Sequence, residues 1–293
     1  MARLGGVAHR AETLLGTAVV ATTPVAGGDI CTATRLRLSN GTSALIKTRP
    51  HAPADFFRTE AAGLRWLAEA GGAGTPEVLA VEDDCLVVTW IEASRPTSEG
   101  AEAFGRQLAA THQAGSAGFG TESGTDGYIG TLPLPNRGAP TWPEFYATRR
   151  VLPYLKLASD RGGISARDAA AVERVVRRIV DLAGPDEPPA RLHGDLWSGN
   201  LVWGLGSRVW LIDPASYGGH RETDLAMLSL FGCPQLPRVL EAYAEVSPLA
   251  DGWQDRVALH QLFPLLVHAC HFGSGSAGTG YGARAGDAAR SLL

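Results

Sequence analysis

Five residues of this chain could share one reaction: Lys47, Glu60, Asp195, Asn200 and Asp213. Asp195 and Asn200 stand five positions apart in "HGDLWSGN", and Asp213 ends the apolar stretch "RVWLID". Two carboxylates and an amide around one hairpin suit a divalent cation or a proton transfer. A buried lysine held by a glutamate adds a grip for phosphate. Together these are the parts of a kinase-type phosphoryl-transfer site. The lysine would hold the α- and β-phosphates of ATP, Asp195 would accept the proton of the attacking hydroxyl, and Asn200 and Asp213 would hold Mg²⁺. The Asp-x-x-x-x-Asn spacing matches the protein-kinase catalytic loop, with His-Gly-Asp in place of His-Arg-Asp.

These groups must be positioned by two different kinds of structure. The first ninety residues read mainly as strands: "TAVVATTPV", "ICTATRLRLS" and "TSALIKTR", with a hairpin turn at Asn40-Gly41 and a second hairpin through Asp83-Asp84. Lys47 falls on the third strand. "ADFFRTEAAGLRWLAEAGG" has helical periodicity, and Phe57, Glu60, Leu64 and Leu67 share its apolar stripe. An unpaired carboxylate there is costly, so Glu60 needs a cation, and Lys47 is the candidate. A rotated helix would instead place Glu60 at the surface beside an arginine. Gly27 and Gly28, in "VAGGDICTA", would let backbone N–H groups approach a phosphate, although a Gly-Gly pair is also an ordinary hairpin turn.

After residue 92 the pattern turns helical, with helices expected at 97–114, 142–159, 165–183, 222–231, 237–246 and 252–271. The exception is a hairpin at 200–213, and 115–140 reads as a long loop. The expected architecture is α+β and bilobal, with a β-rich lobe over 1–92 and a larger helical lobe over 93–293. A crevice between two such lobes is a natural ligand site.

Composition narrows the classes. The chain has 293 residues, 45% hydrophobic and 19% charged, with a net charge of -4. No basic stretch suggests nucleic acid, and the pairs Arg149-Arg150 and Arg177-Arg178 read as solvated helix faces. No apolar run reaches membrane-spanning length, and the first residues lack the apolar core of a secretory signal. The four cysteines show no CxxC spacing. These features point to the cytoplasm, with no membrane or nucleic-acid partner. Lys47 and Lys156 are the only lysines in an arginine-rich chain, which makes Lys47 more notable.

"HGDLWSGN" and "DPASYGGHRETDLAM" resemble the fructosamine kinase (ketosamine-3-kinase) family, within the wider group of aminoglycoside-phosphotransferase-like kinases. "GYIGTLPLPN" at 127–136, "WPEFYATRRVLPYLKLA" at 142–158 and "HQLFPLLVHACHFGSG" at 260–275 extend the resemblance over nearly the whole chain. It implies a protein-kinase-like fold and ATP-dependent phosphorylation of the 3-hydroxyl of a ketosamine, an Amadori product. The phosphorylated product would then break down and free the amine, so the substrate would be a small ketosamine or a glycated amine or protein. By motif, the five residues keep the roles given above, and Trp90, Ile91 and Glu92 fall at the interlobe hinge, where backbone groups would meet adenine. "AGGDICTA" departs from the protein-kinase GxGxxG, so the individual phosphate contacts do not carry over.

Trp197 reads as a wall of the acceptor site or as a core tryptophan. His220 and Glu222 follow Asp213 and would face the crevice, and the resemblance favours His268 or His271 lining the sugar site. His260, His268 and His271 share a helix face, but zinc is disfavoured by their apolar flanks. Asp224 is expected to fix the catalytic loop or the start of the following helix. Cys31, beside the glycine turn, is expected to be solvent-reachable and thiolate-prone. Two other readings remain: a kinase for an aminoglycoside or amino alcohol, and a pseudokinase. The first would favour an acidic run in 240–293, which is absent. The second is opposed by the complete set of catalytic parts.

Overall fold

Alternating small and β-branched residues build one antiparallel sheet from five strands in the N-terminal part of the chain. The computed structural model describes residues 2–26 and 30–293. Gly27 and Gly28 therefore lie outside the described residues. The sequence runs α1 (Ala2–Leu15), β1 (Val19–Val25), β2 (Thr32–Leu38), β3 (Ser43–Thr48), α2 (Phe56–Ala68), β4 (Val78–Val81) and β5 (Cys85–Thr89), and the strand order is β1-β2-β3-β5-β4. The Asn40-Gly41 turn joins β2 to β3; Gly41 has φ 86°, and Asn40 Oδ1 accepts from the Thr42 amide at 3.0 Å.

The two faces of this sheet carry different loads. Leu36, Leu38, Ala44, Ile46 and Val87 pack with Ala11 of α1. Leu86 and Val88 pack with Phe56, Phe57, Ala61 and Leu64 of α2. Side chains alternate across a strand, so Lys47, next to Ile46, points to the α2 face. This is the expected stripe of α2, with Glu60 on its buried side.

The remainder is α3 (Ser98–Gln113), β6 (Gly127–Ile129), β7 (Leu132–Leu134), α4 (Trp142–Phe145), α5 (Leu152–Asp160), α6 (Ala166–Arg177), α7 (Ile179–Leu182), β8 (Ala190–Leu192), β9 (Leu201–Gly204), β10 (Arg208–Leu211), β11 (Tyr217–Gly219), α8 (Glu222–Leu230), α9 (Leu236–Val246), α10 (Trp253–Phe272) and α11 (Ser276–Ser291). The hairpin expected at 200–213 is β9–β10. The supposed loop 115–140 contains the β6–β7 hairpin, which reaches across to α2: Tyr128 packs on Phe56 and donates to Asp55 at 2.6 Å.

The single helix expected over 142–159 is broken by a wider π turn, Tyr146–Val151. Pro153 has no N–H to give the Arg149 carbonyl, which accounts for the irregular turn ahead of it. Pro264 creates the same vacancy at the His260 carbonyl inside α10, and the buried Tyr146 hydroxyl donates there at 2.9 Å. The solvated face expected for Arg149-Arg150 is also corrected. Arg150 is fully buried, lies over the Tyr217 ring and donates to Asn136 Oδ1 at 2.7 Å. The polar carbonyls of 135 and 136 and the aromatic faces replace its water.

Candidate active site

Lys47 Nζ donates to both carboxylate oxygens of Glu60, at 2.7 and 2.9 Å, and to Asp213 Oδ1 at 2.9 Å. Burial works against the ammonium charge, but the two carboxylates outweigh it and hold Lys47 protonated. Burial also pushes the Glu60 carboxyl up, against the pull of Lys47. Asp213 itself sits at φ 55°, a left-handed conformation that Asp tolerates better than most residues. It follows the last strand of the β9–β10 hairpin, and the turn aims its carboxylate back at β3.

The hairpin also ties Asp213 to the catalytic loop. The Ile212 amide donates to the Asn200 carbonyl at 3.0 Å, and the Ile212 carbonyl accepts from His193 Nε2 at 2.9 Å. Asn200 Nδ2 donates to Asp195 at its backbone carbonyl (2.8 Å) and its Oδ2 (3.0 Å). Asp195 is half-buried; burial raises its carboxyl to about 7, against the Asn200 hydrogen bond and with some repulsion from Asp213.

Gly194 has φ 82°, and a Cβ there would lie 2.1 Å from the Ala215 carbonyl oxygen. Both facts require glycine between His193 and Asp195. Asp224, at the start of α8, accepts from the His193 and Gly194 amides at 2.8 and 3.0 Å. His112 Nε2 meets the same carboxylate at 3.2 Å, and its Nδ1 faces the Tyr243 hydroxyl at 2.8 Å. Sequence reasoning did not find His112 or Tyr243. They are distant in the chain, and a histidine in a helical stretch carries no signal of its own.

The donor set fits a hard divalent cation. With Nδ2 turned to Asp195, the Asn200 side-chain oxygen remains as an acceptor, and Asp213 keeps a second oxygen beyond Lys47 in a side chain that is 47% exposed.

The hinge residues divide. The Trp90 amide is taken by the Ser43 carbonyl at 3.2 Å, and its ring lies under Arg35 and donates to Glu92 at 2.9 Å. Trp90 is thus a poor candidate for adenine contact through its N–H. Ile91 and Glu92 follow directly, and the chain is pinned just beyond them: Ala93 pairs with Gly204 in an isolated antiparallel bridge, and the Ser94 amide donates to the Trp203 carbonyl at 2.6 Å.

Two expected substrate residues are misplaced. Glu222 is buried and bound by Arg256, at 2.6 and 2.9 Å, with His260 Nε2 at 3.3 Å. His220 is buried against Trp142 and His260. The chain turns at β11 into α8 and buries both. His220, Glu222 and His260 have metal-ligand proximity, but Arg256 already neutralises the carboxylate. Trp197, by contrast, is 37% exposed and lies over the loop: an added Cβ at Gly199 would strike its ring. His268 meets Phe231, while His271 lies close to Gly130 of the β6–β7 turn. The thiolate expected at Cys31 is also corrected: burial raises this thiol despite the nearby Lys47.

Lys47 and Glu60 should act as one unit. Lys47→Ala and Glu60→Ala are expected to weaken ATP use alike, with a coupling of about 0.5–3 kcal/mol in a double-mutant cycle on kcat/KM. Additive losses would separate their roles.

The fructosamine kinase family model matches residues 7–282. A probable ketoamine kinase of Thermus thermophilus is 35% identical over 257 residues, covering 87% of this chain and 89% of the relative. A Thermobifida fusca protein of known crystal structure, provisionally named a fructosamine-3-kinase, is 48% identical, with a TM-score of 0.91 and 98% of each chain covered. An aminoglycoside phosphotransferase solved with ADP and hygromycin B shares the fold at a TM-score of 0.67, with 14% identity and 98% of each chain covered. The family model spans nearly the whole chain, and the Thermus thermophilus relative is similar over almost its full length: the chain belongs to the fructosamine kinase family.

Proposed function

We propose that this kinase transfers the γ-phosphoryl of ATP to the 3-hydroxyl of a small ketosamine, and that breakdown of the product frees the amine. The observation that supports it most is the joined set Lys47–Glu60–Asp213 and Asp195–Asn200, held by one hairpin. In this reading the lobes part at 92/93, Ile91 and Glu92 offer backbone groups to adenine, and Lys47 holds phosphate. Asn200 and Asp213 would hold Mg²⁺, which neutralises charge on the phosphates when bound. Asp195 orients the acceptor hydroxyl and takes its proton. Trp197 lies beside that hydroxyl as an apolar wall, with His268 and His271 further along the acceptor side.

Among the described residues no helix is long and apolar enough to cross a membrane, and all four cysteines are free. A reduced, ATP-containing cytoplasm suits this reading. The test is phosphorus NMR of the products from a ribulosamine and a fructosamine, with kanamycin and choline in parallel. A ketosamine 3-phosphate that decays with release of amine is expected. Turnover of kanamycin or choline with no ketosamine turnover overturns the reading.

A further inference from the structure

The wall begun by Trp197 continues as a patch of rings that the reaction itself does not use. Trp197 meets Phe231 edge-on at 6.0 Å, just past the end of α8. Phe231 lies 4.8 Å from His268 on α10, and His268 lies 4.8 Å from Tyr281 on α11. Phe272 stacks on Tyr281 at 5.8 Å. Trp197 and Phe272 are exposed, and Phe231, His268 and Tyr281 are half-buried. Four segments, the loop of Trp197, the end of α8, α10 and α11, thus converge on one ring-lined surface that starts two residues from Asp195.

The charged side chain beside the far rings of this surface is Arg284. Arg284 lies 5.6 Å from the Tyr281 ring centroid and donates only to the Leu230 carbonyl, at 3.3 Å, leaving its guanidinium without a carboxylate partner among the described residues. Burial lowers the His268 imidazole, with Arg284 adding to it and the hydrogen bond to the Pro264 carbonyl opposing it. A cationic group beside Tyr281 would meet the Arg284 guanidinium. An apolar group would find ring faces, and a carboxylate beside it would find the guanidinium.

We infer that Trp197, Phe231, His268, Phe272, Tyr281 and Arg284 form the subsite for the amine-borne part of the ketosamine, and that it selects apolar substituents bearing a carboxylate, as in ketosamines of free apolar amino acids. This rests on the ketosamine reading above. The acceptor hydroxyl must sit at Asp195, and a sugar chain lying along Trp197 directs its amine end towards Phe231. Shape gives the preference for rings or branched chains, and Arg284 gives the preference for a carboxylate over an ammonium.

The test compares kcat/KM for one sugar carried by four amines: phenylalanine, phenethylamine, methylamine and cadaverine. The expected order is phenylalanine, phenethylamine, then methylamine, with cadaverine lowest. Arg284→Gln should cut the ratio of phenylalanine to phenethylamine derivatives about fivefold, the upper end for an exposed ion pair. Phe231→Leu, which keeps most of the volume, should cut the ratio of phenethylamine to methylamine derivatives about two- to tenfold. Ratios within one variant cancel any loss of folded protein. If all four are phosphorylated with equal kcat/KM, or the cadaverine derivative leads, the subsite assignment is wrong while the kinase reading stands. If none is phosphorylated and another acceptor is, both fall.

Discussion

Asp195→Asn should lower kcat by about 10²–10⁴-fold while leaving ATP binding near its wild-type strength. Three observations set this expectation. Asp195 is held by Asn200 Nδ2 at 3.0 Å, in a loop that Asp224 anchors through the His193 and Gly194 amides. Asp195 shares no hydrogen bond or ion pair with Lys47, so the phosphate grip formed by Lys47, Glu60 and Asp213 survives the change. Asparagine has nearly the same shape, so the loop keeps its course, yet its amide cannot accept the proton. Single-turnover rates and nucleotide binding by calorimetry would check both halves. Turnover within a fewfold of wild type would remove Asp195 from the role of base, and lost nucleotide binding would show that its charge supports the phosphate site instead.

The grouping of the candidate site residues was legible because local rules govern it. Lys47 sits on a strand between turn signals, Glu60 on a helical stripe that excludes unpaired charge, and Asp195, Asn200 and Asp213 around one short hairpin. Burial on each element fixes the direction of the side chain, so the pairing of Lys47 with Glu60 could be read before any contact was seen. His220 and Glu222 failed for a non-local reason. Nearness to Asp213 in the chain suggested the crevice, but the turn into α8 reverses the chain and buries both beside Arg256 and His260, two residues of a distant helix. α11 escaped notice because glycine lowers helix propensity, and this helix contains several. Gly282 is needed there: a Cβ would lie 2.1 Å from the Gly163 carbonyl oxygen. α1 was hidden in the same way by Gly5-Gly6. Tertiary packing, which a local pattern does not carry, decided all of these.

The burial of Glu222 has a large consequence for stability. Glu222→Ala should destabilise the fold by about 3–5 kcal/mol, since it leaves the Arg256 guanidinium, 8% exposed, without its charge partner. Replacing both residues, as in Glu222→Met with Arg256→Met, should lose far less than the sum of the single changes, because no unpaired charge stays buried. Burial alone would raise the Glu222 carboxyl; the His260 ring 3.3 Å away and the hydrogen bonds from Arg256 outweigh it and hold it at about 2, below its usual 4.5. Burial, with the nearby His260, lowers His220 from 6.5 to about 3. In both cases the unfolded chain takes up protons that the folded chain refuses, so each contribution is lost as the pH falls. The His220 part begins to fade below about 6.5 and the Glu222 part below about 4.5, and His220→Gln should flatten the upper part of that decline. Urea unfolding of the wild type and these variants between pH 4 and 8 measures all of it. A Glu222→Ala protein as stable as wild type, with only KM for the acceptor raised, would return Glu222 to the substrate site; a loss of stability at unchanged KM would fix it as the internal partner of Arg256.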